Sequence, residues 1–305
     1  MVQPTSVMKP SQYRDAFARP EQLARLAWQS LVAEAELTPK PGLVDRRSSG
    51  SHSDLSLELM RKSADAIAPY FAEMALASAG VPVDAGLRVR LAHLGRQAES
   101  AMFHATTGSN AHKGAIWILG LLVCAASQSI DCRPEHIARN GGLLARLPDQ
   151  PRPQGVTHGD LARERYGVTG ARGEAHANFP HVVNIGLPRL REARTSGRTE
   201  RDSRLTALLA IMSRLEDTCV LYRGGREAQQ FVHAGAALVL QAGGPGRPKG
   251  EPALIRLGHE FVSRRISPGG SADLLAATLF LDALERGLDE VEKDDSVVEE
   301  NDGAY

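Results

Sequence analysis

The sequence predicts an all-α fold, organised as a single-domain bundle of many helices. Apolar residues recur every three or four positions along most of the chain, which is the spacing of one helix face. No run of strand length alternates between apolar and polar residues, and aromatic residues make up only 5% of the chain. We therefore expect one all-α domain over residues 21–288, between a flexible segment at 1–20 and a strongly acidic tail at 289–305.

The first half of the chain contains four helical patterns. The first covers residues 23–35 and leads directly into the proline-containing segment 38–45. The second starts at Asp54, an ordinary N-cap residue type, and the third covers residues 87–98. The fourth, at 112–127, is apolar on all sides, which is typical of a helix at the centre of a bundle.

The second half of the chain continues the helical pattern between loops rich in glycine and proline. Long surface loops are predicted at residues 146–159 and 243–252. Five further helices are expected near residues 174–193, 203–216, 226–241, 251–265 and 271–288.

Charge and cysteine content exclude several classes of protein. Lysine plus arginine total 36, as do aspartate plus glutamate, so a general nucleic-acid or anionic-membrane binder is not indicated. The three cysteines, Cys124, Cys132 and Cys219, form no CxxC pair and no disulfide framework. The longest apolar run, 115–126, is too short to span a bilayer, and the protein is expected to be soluble and cytoplasmic, with homo-oligomerisation left open.

The segment 38–45, with the sequence Thr-Pro-Lys-Pro-Gly-Leu-Val-Asp, is the most informative stretch of the chain. Pro39 and Pro41 prevent a helix and block a central strand position. The segment nevertheless carries two opposite charges, on Lys40 and Asp45. A stiff loop of this kind is suited to holding charged groups still beside a polyanionic ligand.

Five further loops combine glycine with charged residues beside predicted helix starts. They cover residues 45–54, 107–114, 166–174, 217–226 and 267–273. Helix N-termini expose N–H donors that suit phosphate oxygens, and glycine allows the backbone to approach closely. We therefore expect the ligand site to be formed by loops at helix N-termini and to take a ligand with several phosphates.

Charged side chains in these loops would complete such a site. Cations that could form charge-assisted bonds to phosphate are Lys113, Arg172, Arg223 and Arg226. Carboxylates that could hold magnesium are Asp45, Asp54, Glu174, Asp217 and Asp273. Plain structural roles compete with these assignments: Asp54 could be only an N-cap, Ser271 suits a cap, and Asp273 falls where a helix dipole favours a carboxylate.

Taken together, the motifs resemble a known family. In chain order they are the segment 38–45, His52-x-Asp54, His112-Lys113-Gly114, and the runs 166–174, 217–225 and 267–273. Their combination over about residues 34–281 is similar to the triphosphoribosyl-dephospho-CoA synthase family. Leu55 stands where that family usually has methionine and Asn178 where glycine is common, and neither position carries a charge.

The resemblance implies a reaction between two nucleotides. Members of this family join ATP to 3′-dephospho-CoA, release adenine, and form 2′-(5″-triphosphoribosyl)-3′-dephospho-CoA. A holo-forming transferase then attaches this product to the acyl carrier protein subunit of malonate decarboxylase or citrate lyase. The chain shows no appended transferase domain, which favours the malonate decarboxylase branch. A helical metal-dependent nucleotide or glycoside hydrolase and a non-catalytic nucleotide sensor are the alternatives.

The resemblance also suggests roles for individual residues. A carboxylate would take the proton of the attacking hydroxyl, and Asp54 and Glu174 are the catalytic candidates. Candidates for contact with the substrates are Lys40, Lys113, Arg172, Arg223, Arg226, Gly269, Gly270 and Ser271. Candidates for holding Mg²⁺ are Asp45, Asp54, Glu174 and Asp217.

Overall fold

The computed structural model describes residues 10–129, 131–149 and 157–287. Within these ranges the regular structure is entirely helical, which confirms the predicted all-α fold. The predicted acidic tail at 289–305 lies outside the described residues, as does the centre of the predicted loop at 146–159.

The first six helices lie between residues 10 and 166. They are α1 (Pro10–Glu36), α2 (Leu57–Ser78), α3 (Ala85–Ala105), α4 (Lys113–Gln128), α5 (Pro134–Arg146) and α6 (His158–Tyr166). The α1 helix begins well before the predicted domain boundary at residue 21, with Pro10 at its first position, where a missing N–H costs nothing. The α5 and α6 helices were not predicted from the sequence.

The second half contains six further helices and one π-helical turn. They are α7 (Gly170–His176), the π turn (Val182–Gly186), α8 (Leu187–Thr195), α9 (Glu200–Met212), α10 (Thr218–Gln241), α11 (Gly250–Ser263) and α12 (Gly269–Arg286). The single helix expected at 174–193 is wrong, because Asn178 and Phe179 adopt positive φ angles of 65° and 55°. Those angles end α7 and turn the chain before the π turn.

Two helix starts differ from the expectation in ways that affect the site. The cap of α2 is Ser56, whose hydroxyl accepts from the Leu59 N–H at 3.3 Å, so Asp54 is not the N-cap. The α10 helix starts at Thr218 and is interrupted at Gly225, where φ is 67° and ψ is −163°. Only glycine adopts that conformation without strain, so the break separates the first two turns of α10 from the rest.

The α4 helix lies at the centre of the larger hydrophobic core, as its apolar sequence predicts. It packs against α1, α2, α5 and α12, and Leu119 and Leu122 are completely buried. A second core lies among α8 to α11. The α12 helix joins the two, since Phe280 belongs to the first core and Leu275 to the second. No helix in the described part of the chain is both long and apolar enough to cross a membrane.

Candidate active site

The N-termini of α10 and α12 are held together by one buried carboxylate. Asp217 caps α10 by accepting from the Cys219 N–H at 2.9 Å. It also accepts from the Gly270 N–H at 3.2 Å, and from the N–H and hydroxyl of Ser271 at 2.8 and 3.0 Å. Burial raises the pKa of Asp217, and these donors oppose the rise. Because the donors of Gly270 and Ser271 point at Asp217, they are not free for a phosphate in this arrangement.

The N-termini of α4 and α7 join the same cluster. Asp273, in the second turn of α12, lies so close to Gly114 that a Cβ on that glycine would be 2.1 Å from its Oδ2 atom. Asp273 also accepts a hydrogen bond from the Ala115 backbone. At the start of α7, a Cβ on Gly170 would lie 3.0 Å from the methyl group of Thr218. Four helix N-termini therefore converge, and each presents the positive end of a helix dipole.

The proline loop, residues 37–56, lies against this cluster through the turn that precedes α12. The Ser51 hydroxyl donates to the carbonyl oxygen of Ile266 at 2.6 Å. The Nε2 atom of His52 is 2.7 Å from the Ser267 hydroxyl oxygen. These contacts place His52 and Asp54 beside the start of α12.

Lys40 is an internal ion-pair partner in this structure. Its Nζ atom lies 2.5 Å from Oε1 of Glu34 and 2.6 Å from the Glu34 carbonyl oxygen, and both side chains are almost completely buried. The Lys40 charge is therefore balanced inside the protein. Glu34 was not identified from the sequence, although a glutamate three positions after Leu31 on the buried face of α1 was a signal.

Asp45 organises the proline loop. Its Oδ1 atom accepts from the N–H groups of Arg47 and Ser48 at 2.7 and 3.0 Å, and Oδ2 accepts from the Lys40 N–H at 3.0 Å. The side chain is buried. These contacts hold the stiff loop closed, which is the arrangement of an Asx turn.

His52 and Asp54 form the exposed edge of the site. The Nδ1 atom of His52 is 3.6 Å from Oδ1 of Asp54, whose side chain is 56% exposed. That Nδ1 atom is buried and has no hydrogen-bond partner among the described residues. Burial lowers the pKa of His52, and so does the nearby Arg223, while Asp54 opposes the shift. A largely neutral imidazole therefore stands between Asp54 and Arg223.

His112 is a second neutral imidazole at the start of α4. Its Nδ1 atom is 2.7 Å from the Ser63 hydroxyl oxygen, and its buried Nε2 atom has no partner in the described structure. Burial, with a smaller contribution from the charge of Lys40, lowers the pKa of His112 to about 3. This ring therefore carries no charge at neutral pH.

Glu174 is one half of a Glu–His pair. Its carboxylate accepts from the His181 N–H at 2.8 Å and lies 2.7 Å from the His181 Nδ1 atom. The hydrogen bond from the ring raises the pKa of His181, and a contact with the backbone of Arg214 adds to the rise. His181 was not among the residues predicted from the sequence, since its pairing with Glu174 depends on the turn between them.

Asp273 is a carboxyl group packed near two other acidic residues. Burial raises its pKa well above the ordinary value, and the neighbouring carboxylates of Glu34 and Asp217 raise it further. The Ala115 backbone hydrogen bond only partly offsets these effects. A raised pKa favours the protonated form of this carboxyl group.

The remaining predicted cations divide into paired and unpaired groups. Lys113 lies 2.9 Å from Glu99. Arg226 donates to the Tyr166 carbonyl oxygen at 2.6 Å and lies 3.6 Å from a carboxylate oxygen of Glu216. The exposed Arg172 and Arg223 have neither an ion pair nor a hydrogen bond with any residue that the structure describes.

The carboxylates differ in how well they fit a magnesium ion. Among the described residues, no group of three or more histidine, cysteine or acidic side chains is arranged around a common point. Asp45, Glu174 and Asp217 are already bound by protein donors. Asp54 has an exposed carboxylate, and Mg²⁺ commonly uses one or two carboxylates together with substrate phosphates and water. Magnesium binding therefore remains a proposal, with Asp54 as the side chain that fits it.

Comparison with known proteins bears directly on this site. The model of a family described as ATP:dephospho-CoA triphosphoribosyl transferase matches residues 20–291. The chain belongs to this family. The matched range includes every helix start and loop that forms the cluster. As a member of the ATP:dephospho-CoA triphosphoribosyl transferase family, the chain is an enzyme that transfers a group.

Individual relatives agree with the family model over nearly their whole lengths. A protein of Stutzerimonas stutzeri (strain A1501) is 50% identical over 273 residues, which is 89% of this chain and 94% of the relative. A protein of Azotobacter vinelandii (strain DJ / ATCC BAA-1303) is 49% identical over 268 residues, which is 87% of this chain and 92% of the relative. Both are named probable 2-(5''-triphosphoribosyl)-3'-dephosphocoenzyme-A synthase. No solved structure matches the chain.

Proposed function

We propose that the enzyme transfers the triphosphoribosyl group of ATP to the 2′-hydroxyl of 3′-dephospho-CoA and releases adenine. The observation that carries this proposal is the presence of the exposed Arg172 and Arg223, unpaired among the described residues, beside the adjoining starts of α7 and α10. Helix dipoles and unpaired guanidinium groups both favour a polyphosphate. The family to which the chain belongs supports the identity of the two substrates.

In this reaction the cations position the substrate, because the triphosphate is not cleaved. Arg223 extends from α10 beside His52, and Arg172 lies on α7. Both guanidinium groups can form bidentate bonds to phosphoryl oxygens without first breaking an ion pair. Magnesium held between Asp54 and the phosphates would neutralise part of the triphosphate charge.

The chemical step exchanges one bond at the anomeric carbon of the ATP ribose for another. The 2′-oxygen of dephospho-CoA bonds to that carbon while the bond to adenine breaks, through a transition state with oxocarbenium character. We assign the hydroxyl proton to the Glu174–His181 pair, in which the carboxylate orients the imidazole. We assign protonation of the leaving adenine to Asp273, since its raised pKa favours the protonated form of the carboxyl group.

Incubation with ATP, magnesium and dephospho-CoA tests the proposed reaction. We expect free adenine in amounts equal to the new nucleotide product, and none without dephospho-CoA. Release of ADP or phosphate would contradict the proposal and indicate a hydrolase. Absence of any turnover would contradict it in favour of a nucleotide sensor.

Two arginines three positions apart offer a matched pair of variants. Arg223→Met should lower kcat/KM for ATP by about tenfold or more, since a charge-assisted bond to phosphate is lost. Arg226→Met should change it by less than about threefold, because Arg226 is already bound to Tyr166. Equal losses in both variants would contradict the assignment of Arg223 as a phosphate contact.

We propose that the product supplies the acyl carrier protein subunit of malonate decarboxylase, after attachment by a holo-forming transferase. The same reaction serving citrate lyase is the alternative. Genes for malonate decarboxylase subunits beside the gene for this chain would support the first, and genes for citrate lyase subunits would contradict it.

A further inference from the structure

A small cavity of about 90 Å³ lies among α2, α3 and α4, next to the candidate active site. Arg88, Arg96 and Trp117 line it. Glu99 also lines it and pairs with Lys113, at the first position of α4, at 2.9 Å. The cavity therefore borders the cluster of helix N-termini, although none of its lining residues was predicted to take part in binding.

Arg88 is buried without a close partner. Only 2% of its surface is exposed, and its nearest carboxylate oxygen, on Asp149, is 3.5 Å away. Its guanidinium carbon lies 5.0 Å from the centre of the Trp117 ring. Its Nε atom has no hydrogen-bond partner among the described residues, and the same is true of the buried Nε1 atom of Trp117.

Both unpartnered atoms are hydrogen-bond donors on residues that line the cavity. Arg88 Nε and Trp117 Nε1 carry hydrogens and have no acceptor capacity. Leaving such buried donors unpaired is costly, so these two groups are not satisfied by the protein alone. A phosphoryl group offers acceptor oxygens and negative charge together, so it suits a cavity lined by the guanidinium groups of Arg88 and Arg96.

The charges around the cavity favour the same ligand. Arg96 donates to the same Asp149 carboxylate at 3.4 Å, which is longer than a strong charge-assisted bond. Arg172 is near enough to lower the pKa of Arg88, although burial is the larger cause and Asp149 opposes it. One loosely held carboxylate thus faces two guanidinium groups, with a third in the neighbourhood.

We propose that this cavity is an oxyanion subsite that takes one phosphoryl group, whose oxygens replace Asp149 on Arg88 and Arg96. A volume of about 90 Å³ is well below the roughly 300 Å³ at which sites for whole small-molecule ligands begin, so the cavity suits a single phosphoryl group and not a nucleoside. The source of that group rests on the proposed function. It is either the triphosphate of ATP or the diphosphate of dephospho-CoA.

The full-length chain carries its own reporter of the cavity. It contains two tryptophans, and Trp28 is outside the cavity, bonded to Asp65 at 2.7 Å. In a Trp28→Phe background, all tryptophan emission comes from Trp117. Addition of inorganic tripolyphosphate should change that emission saturably, and an unchanged emission would overturn the subsite in favour of a water-filled structural cavity.

Variants measured by calorimetry with tripolyphosphate test the named contacts. Arg96→Met should weaken binding about tenfold or more, whereas Arg90→Met, on the exposed face of the same helix, should leave it unchanged. Asp149→Asn should tighten binding severalfold, since the competing charge is removed. Unchanged binding in Arg96→Met, or weaker binding in Asp149→Asn, would overturn the proposal. Arg88→Met gives the same test where it folds, and the half-exposed Arg96 covers the case where it does not.

Separate titrations with ATP and with dephospho-CoA identify the source of the phosphoryl group. The substrate that enters the subsite should change Trp117 emission when it is added without the other substrate. The affinity of the protein for that substrate should fall in Arg96→Met. Failure here is distinct from failure of the proposed reaction. Normal adenine release without any change in Trp117 emission would contradict the subsite but not the proposed reaction. Tripolyphosphate binding that depends on Arg96, without adenine release, would support the subsite and contradict the proposed reaction.

Discussion

Two buried cations of this protein, Lys40 and Arg88, have opposite relations to their surroundings. Lys40 has two oxygen atoms of Glu34 within 2.6 Å. Arg88 is as deeply buried, yet it is 3.5 Å from its only carboxylate partner in the described residues and has an unpaired Nε atom. The comparison teaches that burial alone does not separate an anchor from a ligand group. The two cases differ in whether the buried charge has short hydrogen bonds to the protein.

The largest effect that tests this comparison is expected at Lys40. Lys40→Met should lower the free energy of unfolding by about 3–5 kcal/mol, because it leaves the Glu34 carboxylate buried without its partner. Urea denaturation measures this loss. Lys62→Met, which removes an exposed partner of Glu58, is the matched control and should leave stability unchanged. A loss in Lys40→Met no greater than in the control would mean that Lys40 is not a structural anchor.

A second effect concerns His112, whose lowered pKa depends in part on Lys40. Its pKa is about 3 in the folded protein, against 6.5 as the ordinary value, so the unfolded chain binds a proton more readily. The contribution to stability is therefore complete above pH 6.5 and is lost as the pH falls from 6.5 towards 3. The slope is about 1.4 kcal/mol per pH unit.

Urea denaturation of wild type and of His112→Asn at pH 7.5, 6.5 and 5.5 measures this contribution. The stability difference between the two proteins should shrink by about 1 kcal/mol from pH 6.5 to pH 5.5. NMR titration gives an independent reading, since the His112 ring signals should not move above pH 5. A normal titration near pH 6.5 would show that the ring is not held neutral by burial and by Lys40.

The smallest effect is expected at Arg88. Arg88→Met should lower the free energy of unfolding by only about 1 kcal/mol, since the lost contact is long and a methionine can fill the apolar part of the space. The same urea series that measures Lys40→Met provides the value. Equal losses in the two variants would make Arg88 a second anchor and would end the contrast between the two cations.

The helical architecture could be predicted because periodic apolar faces are a local property of the sequence. Residues 87–98 and 112–127 became α3 and α4 with small shifts at their ends. The break between α7 and α8 could not be predicted, because a positive φ angle at Phe179 is uncommon for an aromatic residue and leaves no pattern. The short α6 helix was hidden beside a run of glycines and prolines.

The site was predictable at the level of loops but not at the level of partners. The loops contain the charged residues, and their order in the chain carries the family resemblance. Which cation is neutralised depends on residues far away in sequence. Glu99 forms an ion pair with Lys113, and the carbonyl oxygen of Tyr166 accepts a hydrogen bond from Arg226. No residue in the described structure forms an ion pair or a hydrogen bond with Arg223. These three cations are alike in the sequence and become different only when the helices pack.

Asp217 has a consequence for how the site moves. The Asp217 carboxylate accepts hydrogen bonds from the first turns of both α10 and α12. If one turn unfolds and moves this carboxylate, the donors of the other turn are left without an acceptor. We expect the two turns to exchange their amide hydrogens as one cooperative unit, although they are distant in the chain. Arg223 and Asp273 lie in the second turns of α10 and α12, directly after the turns that Asp217 links. Loss of the Asp217 contacts would therefore loosen the starts of both helices together.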